Sequence, residues 1–248
     1  MTLSLLVIIG AAAAGLVQGL SGFAFGLVAM AFWAWSIPPQ LAGPMVVFGS
    51  FVGQLLGVGS VKRSLDLSRA LPFIVGGVAG VPAGVALLRY VDPTWFKFAV
   101  GALLVVYCPA MLLAADLPRI TTGGRAADGF VGMVGGVMGG LGGLTGPAPT
   151  LWCSMRGWAK DEQRAVFQSF NLAMHALTLA TYAATGVLTW ETGRMFLLVA
   201  PAMLVPTLVG ARLYARFSEV AFRRLVLALL ALSGVVLLAA ATSSLMRR

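Results

Sequence analysis

The chain has 248 residues, of which 59% are hydrophobic and 10% are charged, whereas a soluble domain typically has about 45–50% apolar and about 25% charged residues. No Asp, Glu, Lys or Arg occurs from Met1 to Val61. The long apolar runs lack the alternation of barrel strands, and the net charge of +9 comes from short connections rather than from one basic block. The composition therefore predicts an integral membrane protein and argues against a soluble enzyme, an outer-membrane barrel and a nucleic-acid partner.

Eight apolar segments follow one another along the chain, separated by charged or turn-rich connections. They cover about 2–36, 40–61, 70–88, 97–115, 126–155, 165–187, 195–212 and 223–245. Most have the length of a single crossing. The first and fifth are longer, and each has a dense run of glycines, at which a helix can break. We therefore predict an all-α integral membrane protein with glycine-broken first and fifth segments.

The two halves of the chain resemble each other. Gly15–Gly22 aligns with Gly136–Gly143 at an offset of 121, Val81-Pro82 with Val205-Pro206 at 124, and Phe96–Leu104 with Phe222–Leu230 at 126. A slowly drifting offset is typical of two diverged copies. The prediction is two four-segment repeats, residues 1–118 and 119–248.

The basic residues predict how the repeats are oriented. If all eight segments crossed the membrane, the two sides would carry almost equal numbers of Lys and Arg. If the first and fifth segments are hairpins that enter and leave on one side, that balance changes. One side then has twelve basic residues (Lys62, Arg63, Arg69, Arg119, Arg125, Arg156, Lys160, Arg164, Arg212, Arg216, Arg223, Arg224) and the other has five (Arg89, Lys97, Arg194, Arg247, Arg248). This asymmetry predicts inverted repeats with three crossings each and both termini outside the cytoplasm.

Two glycine-broken segments in matching positions of two repeats are the best sequence indication of a binding site in a transporter. Glycine allows backbone N–H groups to face a ligand, and the N-terminus of a half-helix favours an anion. The candidate residues are Gln18 and Ser21 in the first break and Gly142, Gly143, Thr145 and Gly146 in the second. The alternative is that the glycines only allow helices to pack closely.

A polar stripe in the sixth segment gives further candidates. Gln168, Asn171, His175, Thr178 and Tyr182 are spaced three or four residues apart and share one helical face. The offset of 121 places Ser50 opposite Asn171 and Gln54 opposite His175. Such a stripe is predicted to face the protein interior, either at a ligand or in hydrogen bonds between helices. His175 is the only histidine, and an imidazole can change its charge near neutral pH.

The residue patterns that cation transport, metal binding or enzymatic catalysis would require are absent from the sequence. All eight acidic residues lie near segment ends, so we expect no buried carboxylate and no cation carrier. The sequence has no His/Cys cluster for a metal, no P-loop and no plausible nucleophile with a base and an acid. We therefore expect no cofactor and no enzymatic activity.

The glycine-rich stretches Gly15–Gly26 and Gly136–Pro147, the repeat of 121–126 residues and the Arg164–Asn171 stretch resemble the TauE/SafE family of sulfite exporters and related permeases. The resemblance covers nearly the whole chain. It implies transport of small anions, chiefly sulfite and organosulfur compounds, across the bacterial inner membrane.

The leading hypothesis is a secondary transporter for a small anion, coupled to protons if His175 contributes, with a passive anion channel as the alternative. A membrane-embedded enzyme or assembly factor is the disfavoured third class. The predicted ligand is a small oxyanion between the two glycine breaks, bound by the residues named above. Alternating access would arise from rocking of the repeats or from gating at the broken helices.

Overall fold

A computed structural model describes residues 3–21, 24–60, 67–113, 119–213 and 219–246 of the chain, and the regular secondary structure within these parts is all helical. Gly22, Lys62, Arg63, Arg216, Arg247 and Arg248, used in the predictions above, lie outside the described residues. The helices are α1 (Leu3–Ser21), α2 (Phe25–Trp33), α3 (Pro39–Ser60), α4 (Leu67–Leu88), α5 (Pro93–Leu112), α6 (Gly124–Gly142), α7 (Pro147–Met155), α8 (Lys160–Ala184), α9 (Trp190–Leu213) and α10 (Glu219–Met246).

In the described parts, five helices are long and apolar enough to cross a membrane: α1, Ser68–Leu88 of α4, α5, α9 and Arg224–Met246 of α10. The sequence also predicts crossings by α3 and α8, which do not meet this criterion. Both carry polar residues in their middle, such as Ser50 in α3 and Asn171 in α8. The chain is therefore a helical multi-pass membrane protein, and the polar residues Ser50 and Asn171 in the middle of α3 and α8 are buried.

Each of the two glycine-rich segments contains a long and a short helix. α1 and α6 have 19 residues, whereas α2 and α7 have nine. Trp33 near the end of α2 packs against Gly10 of α1, and Trp152 Nε1 of α7 donates to Asp128 Oδ1 near the start of α6 at 2.7 Å. Because these contacts join residues far on either side of each break, both short helices fold back along their long partners as hairpins.

The second break has a defined local cause. Gly143 has a φ of 70°, and the N–H of Leu144 donates to the Met138 carbonyl at 3.3 Å, as in a glycine-terminated helix end. Pro147 then occupies the first position of α7, where proline is well tolerated. At the first break Ala24 takes a similar left-handed conformation, with a φ of 79°.

Most of the glycines in these runs lie inside helices and not at the breaks, which confirms the packing alternative for them. A Cβ on Gly15 or Gly19 of α1 would overlap with the backbone of α9, and one on Gly136 or Gly140 of α6 would overlap with the backbone of α4. These two lines of contact, α1 on α9 and α4 on α6, are called the glycine seams. In the second seam α4 also contributes glycines, at Gly76, Gly80 and Gly84. Glycine thus allows α1 to contact α9, and α6 to contact α4, backbone against backbone.

The seam contacts fix the directions of the helices. Gly15 and Gly19 meet Met203 and Thr207 in rising order, so α1 and α9 are parallel. Gly76, Gly80 and Gly84 meet Gly129, Met133 and Val137 in rising order, so α4 and α6 are parallel too. Gly101 meets Leu238 whereas Leu104 meets Gly234, so α5 and α10 are antiparallel.

The bundle therefore has two ends that can be named by their contacts. At the Gln40 end, Gln40 Nε2 of α3 donates to the Leu88 carbonyl at 3.1 Å, and the Arg89 guanidinium donates to the Thr185 carbonyl at the end of α8. At the Arg69 end, Arg69 of α4 pairs with Glu162 of α8 at 2.8 Å. α9 follows α8 and so begins at the Gln40 end, and α1, which is parallel to α9, begins there too. α5 follows α4 and begins at the same end, so its antiparallel partner α10 finishes there. Both described chain ends therefore lie at the Gln40 end.

The expectation that no carboxylate is buried is wrong for Asp128. This residue is only 5% exposed. Its carboxylate accepts from Trp152 and lies 3.8 Å from the Arg156 Nε. Position near a segment end did not predict exposure, because the hairpin brings α7 back over the start of α6.

Candidate functional site

A small cavity of about 30 Å³ lies where the two helix breaks meet. A Cβ on Gly26 in the first turn of α2 would lie 3.0 Å from the carbonyl oxygen of Gly143 in the second break. The central parts of α3 and α8 and one residue of α5 complete the walls. The lining residues are Gln18, Ala24, Phe25, Gly26, Leu27, Ser50, Gln54, Tyr107, Gly143, Leu144, Thr145, Gly146, Pro147, Asn171 and His175.

Both short helices begin at this cavity, so both present the partially positive end of a helix to it. At α2, the N–H of Phe25 donates to Gln18 Oε1 at 3.1 Å. The N–H groups of Gly26 and Leu27 make no hydrogen bond to another described residue.

The second break supplies its donors before α7 starts. Pro147 and Pro149 in the first turn have no N–H. The N–H groups of Thr145 and Gly146, by contrast, make no hydrogen bond within the described part of the chain. Within the described part of the chain, each break thus has two backbone N–H groups without a partner, and such groups at a helix N-terminus suit an anion.

Three side chains form a hydrogen-bonded group on the α7–α8 side. Thr145 Oγ1 donates to Asn171 Oδ1 at 2.8 Å and lies 3.3 Å from His175 Nε2. Since the single hydroxyl proton is used by Asn171, His175 Nε2 must donate to Thr145. The Asn171 oxygen is thereby fixed toward Thr145, and its Nδ2 lies beside Gly146, 3.4 Å from the position of a Cβ there. The Asn171 amide is thus oriented as a donor at the second break.

The α1–α3 side has neutral amides and a hydroxyl. Ser50 and Gln54 are each 4% exposed and make no side-chain hydrogen bond to another described residue. No charged side chain is among the described residues that line the cavity. Compensation of a ligand's charge would rest on helix ends and neutral donors.

Eight of the eleven predicted site residues line this cavity: Gln18, Ser50, Gln54, Gly143, Thr145, Gly146, Asn171 and His175. The offset of 121 paired Ser50 with Asn171 and Gln54 with His175, and all four side chains reach the same space. Ser21, Gly142 and Gln168 are not among the lining residues.

These three have other surroundings. Ser21 Oγ donates to the Val17 carbonyl in its own helix at 2.7 Å. A Cβ on Gly142 would meet Phe96 and Met30 in the hydrophobic core. Gln168 is buried one turn before Asn171, toward the Arg69 end.

The polar stripe of α8 faces the interior, as predicted, since all five of its residues are at most 7% exposed. Only Asn171 and His175 reach the cavity. Tyr182 OH donates to the Gly140 carbonyl at 2.7 Å and so joins α8 to α6. Thr178 is fully buried, and its Oγ1 has no partner among the described residues.

Sequence reasoning missed several lining residues, notably Tyr107 of α5 and the apolar residues Phe25, Leu27 and Leu144. Ala24–Leu27 directly follow the predicted break, so their position could have been inferred from it. Tyr107 has no such signal, because it is one aromatic residue in an apolar helix.

A multi-pass helical bundle with two broken helices that meet at a buried polar cavity has the architecture of a membrane permease. The chain belongs to the sulfite exporter TauE/SafE family, whose model matches residues 6–237. This match confirms the resemblance seen in the sequence, and the family consists of transporters rather than enzymes. No curated protein and no solved structure gives a significant match.

Proposed function

We propose that the protein is a secondary transporter that moves a small oxyanion, such as sulfite or an organosulfonate, across the bacterial inner membrane. The observation that carries the proposal is the meeting of two half-helix N-termini at one cavity lined by neutral donors. Helix ends and neutral amides can replace the hydration shell of a small anion without placing a fixed cation in the membrane.

The proposed ligand site lies between Gly26–Leu27 on one side and Thr145–Gly146 on the other. Asn171 Nδ2 and the side chains of Gln18, Ser50 and Gln54 are the proposed side-chain donors. Because these groups are neutral, a monoanion or small dianion suits the site better than a polyphosphate. Similar oxyanions should be only modestly distinguished.

We further propose that residues 1–118 and 119–248 are inverted repeats. The packing supports this proposal because exchanging corresponding helices preserves the contacts: α1 packs on α9, and α6 packs on α4. α5 and α10, which also correspond, pack on each other. With the basic Arg69 end in the cytoplasm, both termini would face away from it.

The proposal is tested by flux of ³⁵S-labelled sulfite into proteoliposomes containing the purified protein, with protein-free liposomes as the control. Counterflow is the decisive format: liposomes preloaded with unlabelled sulfite should transiently accumulate the label above equilibrium. An imposed pH difference should drive accumulation against a gradient if transport is coupled to protons. Passive flux without an overshoot would favour the channel alternative, and absence of flux for sulfite, sulfonates and related oxyanions would refute both.

A further inference from the structure

The helices can be grouped in two ways, by repeat or by packing, and the two groupings differ. By packing, α4, α6, α7 and α8 form one group, here called the second bundle. The first bundle comprises α1, α2, α3, α5, α9 and α10. Each bundle mixes the repeats. In the second bundle, α4 comes from residues 1–118 and the other three helices come from 119–248. In the first bundle, α9 and α10 come from 119–248 and the other four helices come from 1–118.

The buried hydrophobic residues follow the bundles. One cluster contains core residues of α1, α2, α3, α5, α9 and α10, for example Val7, Trp33 and Met203. A separate cluster contains those of α4 and α8 with Cys153 of α7, for example Phe73 and Phe170. The exceptions, Leu144 and Val47, lie where the second break meets α3.

The glycine seams tie each bundle together across the repeat boundary. α4 and α6 contact backbone to backbone from Gly76 to Gly84, and α1 and α9 do so from Gly15 to Leu20 of α1. Close backbone contact leaves no flexible side chains to rearrange between these helices, so neither pair can slide without steric overlap.

A polar cluster at the Arg69 end further ties the second bundle. Arg69 of α4 pairs with Glu162 of α8. The Arg156 guanidinium at the end of α7 stacks near Trp152 and Trp158 and lies beside Asp128 of α6. All four helices of the second bundle, and none of the first, contribute to this described cluster.

The cavity lies between the bundles. Gln18, Ala24–Leu27, Ser50, Gln54 and Tyr107 come from the first bundle, whereas Gly143–Pro147, Asn171 and His175 come from the second. The bundles contact each other mainly through α3, which packs on α6 and α8. At the Gln40 end, Gln40 also donates hydrogen bonds to the carbonyls of Leu88 and Val91.

We propose that alternating access occurs by movement of the two bundles against each other around the cavity, and not by movement of the two repeats. This inference rests on the proposed transport function. Rocking of the repeats would have to separate α1 from α9 and α4 from α6 along their glycine seams. Movement of the bundles leaves both seams intact and opens the cavity, whose two walls belong to different bundles.

Two engineered cysteine pairs distinguish the groupings. Both are made in a protein whose native Cys108 and Cys153 are replaced by alanine. The pair Arg69→Cys/Glu162→Cys joins different repeats within the second bundle. The pair Gln40→Cys/Arg89→Cys joins α3 to the end of α4, within one repeat but between bundles. Arg69, Glu162, Gln40 and Arg89 are all accessible to reagent, so each pair can be joined by a short bis-methanethiosulfonate that dithiothreitol removes.

After crosslinking, the Gln40/Arg89 pair should lose at least tenfold in sulfite flux and recover it on reduction, whereas the Arg69/Glu162 pair should keep at least half of its flux. The four single-cysteine variants, treated identically, control for labelling alone. The opposite pattern would show that the repeats move, and equal effects on both pairs, whether block or no block, would also overturn the inference. If the unmodified protein shows no flux in the same liposomes, the proposed function fails instead, and the cysteine-free protein must retain its flux before the pairs are compared.

Discussion

Replacing Asn171 with alanine tests the proposed anion site most directly. The variant removes the Nδ2 donor beside Gly146 and the Oδ1 that accepts from Thr145. A hydrogen bond to a charged partner contributes about 1.5–3 kcal/mol, which corresponds to a dissociation constant for sulfite raised roughly 10- to 150-fold. The Thr145 hydroxyl also loses its acceptor, so unfolding should become easier by about 1–3 kcal/mol.

The measurement is equilibrium binding of ³⁵S-sulfite to purified protein in nanodiscs, with thermal unfolding recorded in parallel. Thr178→Val is the matched control, since it removes a buried hydroxyl from the same helix that neither lines the cavity nor has a described partner. Its affinity should equal that of the unmodified protein. If Asn171→Ala binds sulfite within about twofold of the unmodified protein while Thr178→Val behaves the same, Asn171 does not contact the anion and the site is misassigned.

Three further predictions follow from the same geometry. Gly146→Ala should weaken sulfite binding with little change in melting temperature, because the φ of −74° at this position suits alanine and the added methyl lies beside Asn171. Gly143→Ala should instead lower the melting temperature, because its φ is 70° and its Cβ would lie 2.6 Å from Val46. Equal effects of the two variants on binding and on melting temperature would contradict this account. His175→Gln can still donate to Thr145 but cannot take up a proton, so flux should persist without its dependence on an imposed pH difference, and an unaltered pH dependence would make His175 structural only. Cysteines introduced singly at Ser68 and Ser244 should react with impermeant maleimide from opposite sides of the membrane, and labelling of both from one side would refute the inverted topology.

Much of the cavity could be predicted from local sequence, because hairpin breaks and mid-helix polar residues are local features. The offset of 121 pairs Ser50 with Asn171, and both residues line the cavity although they lie in different helices. A repeat of this kind carries long-range information that a single segment lacks.

The sequence could not separate glycines at the breaks from glycines in the seams. Gly140 and Gly143 are three residues apart in the same run, yet Gly140 packs against Val81 of α4 and Gly143 ends α6. The distinguishing signal lies in another helix, where Gly76, Gly80 and Gly84 form a stripe at intervals of four. The burial of Asp128 likewise depends on a tryptophan and an arginine that return to it only after the hairpin forms.

The seam between α1 and α9 has a consequence for the assembly of the protein during translation. α6 emerges from the ribosome after its partner α4 has been made, whereas α1 is complete nearly 170 residues before α9 begins. At synthesis rates of about 5–20 residues per second, α1 waits on the order of 10–30 s for its partner. Throughout that interval its glycine face and Gln18 must be tolerated by lipid or by the insertion machinery. α1 is therefore packed long after it is made, and residues 1–118 cannot complete their fold before most of residues 119–248 have been synthesised.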